Sequence, residues 1–400
     1  MTAQNHLNQF NGDCPETHRD SRFITDLVIM TIRLAIIYFF LIFPSLNAIA
    51  EPLKIGVLVP LSGSLADFGV AFKNGMDLAV SEKTKEQRDS INFILEDSAY
   101  DSKLSLSGFN KLLTSDKVEI VFVWGSTPSA VVAPLAGHKQ IPVLTFTGIP
   151  DISSNKDYVI DFSSRLEDFG KLTLSHLRAK GLKKFGIIKT EIHYLEALTE
   201  SIRLGLNKDE SLIIIDSFQP TSDANFNTSI IKIRQALKRN EIDALGVLLM
   251  TGQLSTFFQK MNQANINIEK FGSDFMLQND EMRKSGKSSV GSFFATIGIN
   301  EEFLKKYVRT YNTDQQISYA AQGYDITNLL YSAYQNGIDD KDPKRILNKL
   351  ENMEPLIGVL GKAEFIKEDP LKFKDAGKRF TFPVIIKKVV EDGKSIEISP

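Results

Sequence analysis

The chain has 400 residues, with 47 Lys and Arg, 49 Asp and Glu, and a formal net charge of −2 at pH 7. A nearly neutral chain lacks the basic surface by which proteins bind nucleic acid or anionic lipid, so we expect neither as a main partner. The only cysteine is Cys14, so the residues that follow it can form no disulfide, no cysteine metal site and no cysteine nucleophile.

Residues 30–52 have the layout of a secretory signal peptide. Arg33 precedes an uncharged apolar run of ten residues, Leu34 to Phe43, and Ala48-Ile49-Ala50 forms a small-x-small cleavage site. The alternative is a membrane-spanning helix, but a span needs about 20 apolar residues and Pro44 interrupts this run early. We therefore expect export, with the signal peptide cleaved near Ala50.

The start of translation and the final compartment also follow from this segment. Met30 fits the start of a signal peptide better than Met1, because residues 1–29 look like an upstream extension without targeting features. No cysteine follows the apolar run, as a lipid-anchored protein would require. We expect a freely diffusing protein of the periplasm.

Beyond residue 50, short apolar runs alternate with amphipathic stretches. The predicted strands are Leu53–Leu61, Ile91–Glu96, Val118–Trp124, Val143–Phe146, Val159–Phe162, Phe185–Lys189, Leu212–Phe218, Ala244–Leu249 and Phe293–Gly298. The predicted helices are Phe68–Glu82, Leu104–Ser115, Pro128–Lys139, Leu166–Lys180, Glu196–Leu206, Phe226–Arg239, Gly252–Ala264, Glu301–Tyr311, Ala320–Asn336 and Pro343–Asn352. Continuous apolar strands between helices indicate α/β architecture, with parallel sheets covered on both faces and right-handed crossovers.

The length of the chain and one pause in this alternation predict two lobes. About 350 residues exceed what one hydrophobic core usually supports. Residues 148–164 are rich in turn formers, so we place the first crossing between lobes there. The tail predicts a hairpin of Thr381–Val390 and Ser395–Ser399. The predicted division is 1–50 for extension and signal peptide, 51–162 plus 299–357 for lobe 1, and 163–298 plus 358–400 for lobe 2.

The sequence offers no support for an enzyme, a cofactor or a metal site. His138, His176 and His193 have no second His or Cys at metal-ligand spacing, so we interpret them as solvated or capping residues. The segment Ser285–Ser288 resembles the end of a phosphate-binding loop, but Glu281 stands where that loop needs glycine. We interpret it as an exposed turn.

Three polar loops mark the expected binding region, because ligands of open parallel sheets bind at the carboxyl ends of strands. They are Pro60–Ser64, Gly125–Ser129 and Thr145–Gly148. In the second loop, Pro128 and the hydroxyl residues around it indicate a helix N-terminus, whose free N–H groups suit a carboxylate. The alternative is that Ser126 or Thr127 only caps its own helix. Phe68 and Trp124 could likewise be ordinary core residues.

The segment PLSGSLADFGVAFKNGMDLAV, Pro60 to Val80, resembles the opening of the leucine/isoleucine/valine-binding proteins, the type I periplasmic solute receptors of ABC importers. The resemblance spans Leu53 to Ile398. It continues in a set of short motifs: Glu96-Asp97, Gly125-x-x-x-Ser129, Ile141-Pro142-Val143, Tyr194, Phe226–Ile242, Ala321–Asp325 and Gly358-x-x-Gly361. It implies two doubly wound α/β lobes joined by a three-segment hinge, a monomer, and an inner-membrane ABC permease as partner.

The resemblance also implies a set of ligand-binding residues. It gives Ser129 the role of holding a ligand carboxylate, with Ser126 or Thr127 as substitutes because the following helix is short. It gives Phe68 a place in the pocket wall and Tyr194 the closing position over the ligand. The residues that would receive an α-amino group are Thr145, Thr147 and Asp274.

These residues predict capture of an amino acid or related small polar solute for transport. Two positions depart from the family: Ile149 replaces the usual Thr or Ser, and Leu195 replaces the glycine after the pocket tyrosine. They favour the alternative, a regulatory or sensor protein of the same fold that acts through a protein partner. Neighbouring permease and ATPase genes would support transport.

Overall fold

The computed structural model describes residues 27–33, 51–220, 224–334, 341–371 and 374–399. The chain forms two compact units, Met1–Ala50 and Glu51–Pro400. In the first unit, residues 27–33 form a helix, α1, and the predicted signal-peptide core and cleavage site lie outside the described residues. Within the described parts of the chain, no helix combines the length and the apolar character needed to cross a bilayer.

The second unit contains the strands and the remaining helices. The strands are β1 Leu53–Val59, β2 Ile91–Asp97, β3 Ile120–Trp124, β4 Val143–Phe146, β5 Val159–Phe162, β6 Lys184–Thr190, β7 Ser211–Phe218, β8 Ala244–Leu248, β9 Glu269–Gly272, β10 Phe293–Ile297, β11 Leu356–Gly358, β12 Gly361–Lys367, β13 Lys378–Thr381, β14 Val384–Val389 and β15 Ser395–Ile398. The helices are α2 Ala66–Ser81, α3 Lys85–Ser90, α4 Ser102–Thr114, α5 Ser126–Val132, α6 Ala136–Lys139, α7 Leu166–Ala179, α8 His193–Leu204, α9 Asn227–Lys238, α10 Gln253–Gln263, α11 Asn279–Ser285, α12 Glu301–Tyr311, α13 Ile317–Tyr334 and α14 Pro343–Glu351.

The strands form two sheets, one for each lobe. The first has eight strands in the order β11-β12-β13-β5-β4-β3-β1-β2, and the second has seven in the order β15-β14-β10-β9-β8-β6-β7. Strands β1 to β5 are parallel to one another, as are β6 to β10. On one side of the first sheet, β13 is parallel to β5 and is followed by antiparallel β12 and β11; on one side of the second, β14 and β15 are antiparallel. The predicted two-lobed α/β fold is confirmed.

The first sheet is covered on both faces, which explains its continuous apolar strands. In β3, Phe122 packs on one face, where its ring stacks on Phe72 of α2 at 5.1 Å. Its neighbours Val121 and Val123 pack on the other face with Phe109 of α4. Side chains of successive strand residues point to opposite faces, so a strand buried on both sides needs apolar residues throughout.

The polypeptide crosses between the sheets three times: at residues 163–165, between β10 and α12, and between β13 and β14. The first and third crossings are hydrogen-bonded to each other. The Ser164 hydroxyl donates to the Phe382 carbonyl at 2.9 Å and accepts from the Phe382 N–H at 2.7 Å. These two segments therefore lie side by side as parts of one hinge.

The strand pairing corrects the predicted lobe boundary near the C-terminus. Residues from 358 onward were expected in lobe 2, but β13 pairs with β5 through Arg379–Asp161 and Phe380–Phe162, in the first sheet. Strand β12 pairs with β13, and β11 with β12. Only β14 and β15, of the described strands after residue 356, join the second sheet. The third crossing therefore lies near Phe382, about 20 residues later than predicted.

Two helix predictions also differ from the structure. The predicted helix Pro128–Lys139 is split into α5, a 3-10 turn at Ala133–Leu135, and α6. Pro134 lies in that turn, and a proline without an N–H cannot continue the i to i−4 hydrogen bonds of an α-helix. The segment around Ser285–Ser288, interpreted as a turn, includes the end of α11 and a following 3-10 turn.

Candidate functional site

A cavity of about 610 Å³ lies between the two lobes. In lobe 1 its walls come from residues that follow or end β1 to β5, among them Phe68, Tyr100 and Thr147. In lobe 2 they come from residues at the carboxyl ends of β6 to β10, among them Tyr194 and Asp274. The cavity therefore lies where open parallel sheets bind ligands.

Six of the eight predicted site residues line this cavity: Phe68, Ser126, Thr127, Thr147, Tyr194 and Asp274. The structure brings them together from both lobes, although they are far apart in sequence. Their role in ligand binding remains a prediction.

The structure places the other two predicted residues, Ser129 and Thr145, behind the wall, contrary to the prediction. Both are fully buried. The Ser129 hydroxyl donates to the carbonyl of Val123 at 3.4 Å. The Thr145 hydroxyl donates to Oδ1 of Asp161 at 2.7 Å. Each hydroxyl therefore has a partner inside lobe 1 and is not directed at the cavity.

Tyr194 and Asp274 form a hydrogen-bonded pair in the lobe 2 wall. The Tyr194 hydroxyl donates to Oδ1 of Asp274 at 2.8 Å. Burial raises the pKa of the Asp274 carboxyl to about 6, although the Tyr194 hydroxyl and two backbone N–H groups oppose the rise. Burial also raises the pKa of the Tyr194 phenol well above its ordinary value, and the Asp274 charge adds to this. A partly buried carboxylate of this kind attracts a proton or a cation.

Aromatic rings make up much of the cavity wall. The aromatic lining residues are Phe68, Tyr100, Trp124, Phe146, Phe169, Tyr194, Phe275 and Tyr319. The Phe68 ring centroid lies 4.6 Å from Tyr319 and 6.2 Å from Phe275. Because Phe68 belongs to lobe 1 and Phe275 to lobe 2, the ring cluster bridges the cleft. Such rings offer apolar contact area and π faces to a ligand.

The lobe 1 wall contains a close contact between Tyr100 and the start of α5. Gly125, the residue before α5, has φ +92°. A Cβ at Gly125 would lie 2.5 Å from Cε2 of the Tyr100 ring, so only glycine fits there. Burial raises the pKa of the Tyr100 phenol, and the Thr127 N–H and Ser126 hydroxyl oppose the rise. The phenol oxygen therefore faces the beginning of α5.

Several lining residues were not predicted, and one signal could have found Tyr100. The rule that ligands meet the carboxyl ends of strands was applied to β1, β3 and β4 but not to β2, whose following loop contains Tyr100. Phe275 follows β9, a strand that the sequence did not predict. Trp124 was interpreted as a core residue, yet it lines the cavity and donates to Oε1 of Gln322 at 2.9 Å.

A buried network of charges lies directly behind Thr145 and Thr147. Arg379 Nη1 is 3.3 Å from Oδ2 of Asp161, and its Nε is 2.7 Å from Oε1 of Glu368. Arg165 donates to Oε2 of Glu368 at 2.9 Å. Burial raises the pKa of Asp161 to about 6, while the Arg379 charge lowers it. The network joins the third polar loop, Thr145–Gly148, to the first crossing.

The described residues contain no cluster of His, Cys, Asp and Glu with the arrangement of a metal site. Their geometry is instead that of a solute-binding protein, with two α/β lobes, three crossings and a cavity of small-molecule size between them.

The chain belongs to the family described as "Periplasmic binding protein", which it matches over residues 52–373. It is similar to the Leu/Ile/Val-binding protein homolog 2 of Brucella abortus, with 23% identity over 339 residues that cover 80% of this chain and 87% of the relative.

Three solved structures have the same fold. The leucine-binding protein LivK of Thermotoga maritima has a TM-score of 0.73 at 16% identity, covering 87% of this chain and 98% of that protein. LivJ of Streptococcus pneumoniae, in complex with isoleucine, has a TM-score of 0.71 at 19% identity, covering 88% and 100%. A solute-binding protein of R. palustris, in complex with benzoate, has a TM-score of 0.71 at 19% identity, covering 87% and 96%.

Proposed function

We propose that this protein is the periplasmic substrate-binding protein of an ABC importer, which captures a small solute between its two lobes. The observation that carries the proposal is the cavity of about 610 Å³ whose walls come from the strand ends of both sheets. A ligand in this position contacts both lobes only when they are closed, so its binding favours the closed form. An inner-membrane permease would then recognise that form.

The comparisons support this function in two ways. Membership of a periplasmic binding protein family supports a periplasmic location. Solute-binding proteins of the same fold have been solved with isoleucine and with benzoate, which are both small carboxylates of different shape. Cleavage near Ala50, a monomeric state and a permease partner are further parts of the proposal.

The regulatory alternative has less support. It expects the cleft to have lost its room for a solute, whereas the two lobes enclose a cavity large enough for a small molecule. The replacements Ile149 and Leu195 do not fill it, since neither lines the cavity.

A thermal-shift screen tests the proposal. The panel contains amino acids, amides, amines, short peptides and aromatic carboxylates, and a true ligand should raise the melting temperature. At a hundred times the dissociation constant, binding stabilises the folded protein by about 2.7 kcal/mol. X-ray scattering on the same samples should show a smaller radius of gyration with ligand.

Two substitutions in one helix control the screen. Tyr194→Ala removes a ring from the cavity wall and should abolish the shift. Leu204→Ala changes a side chain on the same helix that is 73% exposed, and should leave the shift unchanged. If no compound of the panel stabilises the wild-type protein, the transport function is rejected.

A further inference from the structure

The charges that line the cavity are acidic. Among the described lining residues, Asp274, Glu191 and Glu196 are acidic and none is Lys or Arg. Glu196 forms an ion pair with Lys189, and Glu191 accepts a hydrogen bond from Gln219. Within the described chain, Asp274 has the Tyr194 hydroxyl as a partner but no cationic side chain within ion-pair distance. Asp274 and Glu191 thus have no cationic partner among the described residues. Glu191 is exposed to solvent, whereas Asp274 is partly buried and is the unbalanced carboxylate of the cavity interior.

The start of α5, where the sequence predicted a ligand carboxylate, faces the phenol of Tyr100 instead. The sequence predicted that the N–H and hydroxyl groups around Ser126 and Thr127 receive an anion. In the structure the Tyr100 phenol faces those groups, and its ring packs against Gly125. A carboxylate at this point would compete with the partly buried Tyr100 phenol for these groups, and the described walls offer it His193 but no Lys or Arg. The cavity is therefore poorly suited to an α-amino acid.

Rings surround the unbalanced carboxylate. The Tyr194 and Phe275 rings meet edge to face, with centroids 6.1 Å apart and an interplanar angle of 88°. Tyr319 lines the same cavity, and the charge of Asp274 raises the pKa of its phenol in addition to the effect of burial. Aromatic faces attract ammonium groups, most strongly where water is excluded.

From this arrangement we propose that the cavity binds an organic monocation, an amine or methylated ammonium group on an apolar or aromatic body without an adjacent carboxylate. This inference rests on the proposed function and names its ligand class. The ammonium group pairs with Asp274, and the body packs among Phe68, Trp124, Phe275 and Tyr319. An anion would meet an acidic wall, and a zwitterion would find no Lys or Arg for its carboxylate among the described lining residues.

Three probes with the same phenyl group separate these charge states: 2-phenylethylamine, phenylalanine and 3-phenylpropionate. Choline is added as a methylated ammonium with a small body. By isothermal titration calorimetry at pH 7.5, we expect the amine or choline to bind at least tenfold more tightly than phenylalanine, and 3-phenylpropionate not to bind. The inference is overturned if phenylalanine or 3-phenylpropionate binds as tightly as the cations, or if neither cation binds at 10 mM.

A matched pair of substitutions tests the role of the carboxylate. Asp274→Asn should weaken binding of the cation at least tenfold, with an unchanged circular dichroism spectrum. Asp280→Asn makes the same change of charge at a 44% exposed side chain outside the cavity, and should change the affinity less than twofold. An Asp274→Asn protein that binds the cation as tightly as wild type contradicts the inference.

The failure of this inference and of the transport function are distinguishable. If neutral or anionic solutes of the broad panel bind and the cations do not, the ligand class is wrong and the solute-binding function stands. If no compound of either set binds, both are rejected.

Discussion

The Asp274 carboxyl combines burial with the lack of a balancing cation among the described residues. A carboxyl whose pKa is about 6 in the folded protein, against an ordinary value of 3.8, binds its proton more tightly folded than unfolded. Stability therefore decreases as the pH rises from about 4 to about 6, and the full penalty is present above that range. The phenols of Tyr194 and Tyr319 are the titratable groups coupled to this carboxyl, and neither carries a charge in that range.

Asp274→Asn should consequently stabilise the ligand-free protein at pH 7.5. We expect a gain of about 1–2 kcal/mol in the free energy of unfolding, because the neutral amide avoids the desolvation of the charge. Urea denaturation at pH 7.5 and at pH 4.5 measures it, and the gain should be smaller at pH 4.5. An equal or lower stability at pH 7.5 would mean that the carboxylate is well solvated.

At the scale of single residues, the sequence predicted which residues lie near the cavity better than it predicted what their side chains contact. Six of the eight predicted residues line the cavity because they follow strands, and the carboxyl ends of parallel strands share one edge of the sheet. Ser129 and Thr145 could not be excluded from sequence, since the direction of a hydroxyl depends on its tertiary partner, here Val123 and Asp161. Tyr319 lies in α13 and follows no strand, so the rule that placed the other residues does not identify it.

The closest contact between elements in lobe 1 is that of α2 with α13. A Cβ on Gly75 of α2 would lie 1.8 Å from the carbonyl oxygen of Ala320 in α13. A Cβ on Gly323 of α13 would lie 2.0 Å from the carbonyl oxygen of Phe72 in α2. These two glycines let the helix backbones approach each other directly. Backbone atoms cannot move aside as a flexible side chain can.

Gly75→Ala should therefore destabilise the protein. We expect a loss of about 1–3 kcal/mol in the free energy of unfolding, as for other overpacked interiors. Gly137→Ala is the control, because a Cβ on this helical glycine of α6 meets no atom within 4 Å. It should be neutral or stabilise by up to about 1 kcal/mol. Equal urea midpoints for the two variants would show that α2 and α13 can separate without loss.

The accuracy of element prediction followed the strength of the apolar pattern. Strands β4 and β5 and helix α12 match their predicted bounds, and β3 and β8 are buried along their whole length. The missed strands β9, β11, β12 and β13 are short or contain lysine, as in Gly361-Lys362-Ala363. Strands with charged residues are defined by their neighbours in the sheet, and a single sequence does not contain that information.

At the scale of the whole molecule, the buried charge network connects the first sheet to the hinge. Arg379 lies in β13, is fully buried, and contacts Asp161 of β5 and Glu368. It also donates to the carbonyl of Ser163 in the first crossing at 3.3 Å. Arg379 thus pairs with two buried carboxylates, of which Glu368 also pairs with Arg165, and it holds a hinge segment.

Arg379→Met should be strongly destabilising. The substitution keeps most of the side-chain volume but leaves Asp161 and Glu368 without their shared counter-ion, and breaking buried pairs in this way costs about 3–5 kcal/mol. The Lys362–Glu364 pair is half exposed, so Lys362→Met should change stability by less than about 0.5 kcal/mol. Thermal unfolding of both variants at pH 7.5 provides the comparison, and similar melting temperatures would show that the network contributes little.

The late position of the third crossing has a consequence for how the protein matures. Strands β11 to β13 complete the first sheet and β14 with β15 complete the second, so both lobes depend on residues 356–398. In a nascent chain synthesised only as far as α14, the sheet of each lobe still lacks its last strands and has an unpaired edge. Neither sheet can be completed before synthesis is nearly done, which suits the export that we propose, because a secretion channel takes the polypeptide in extended form.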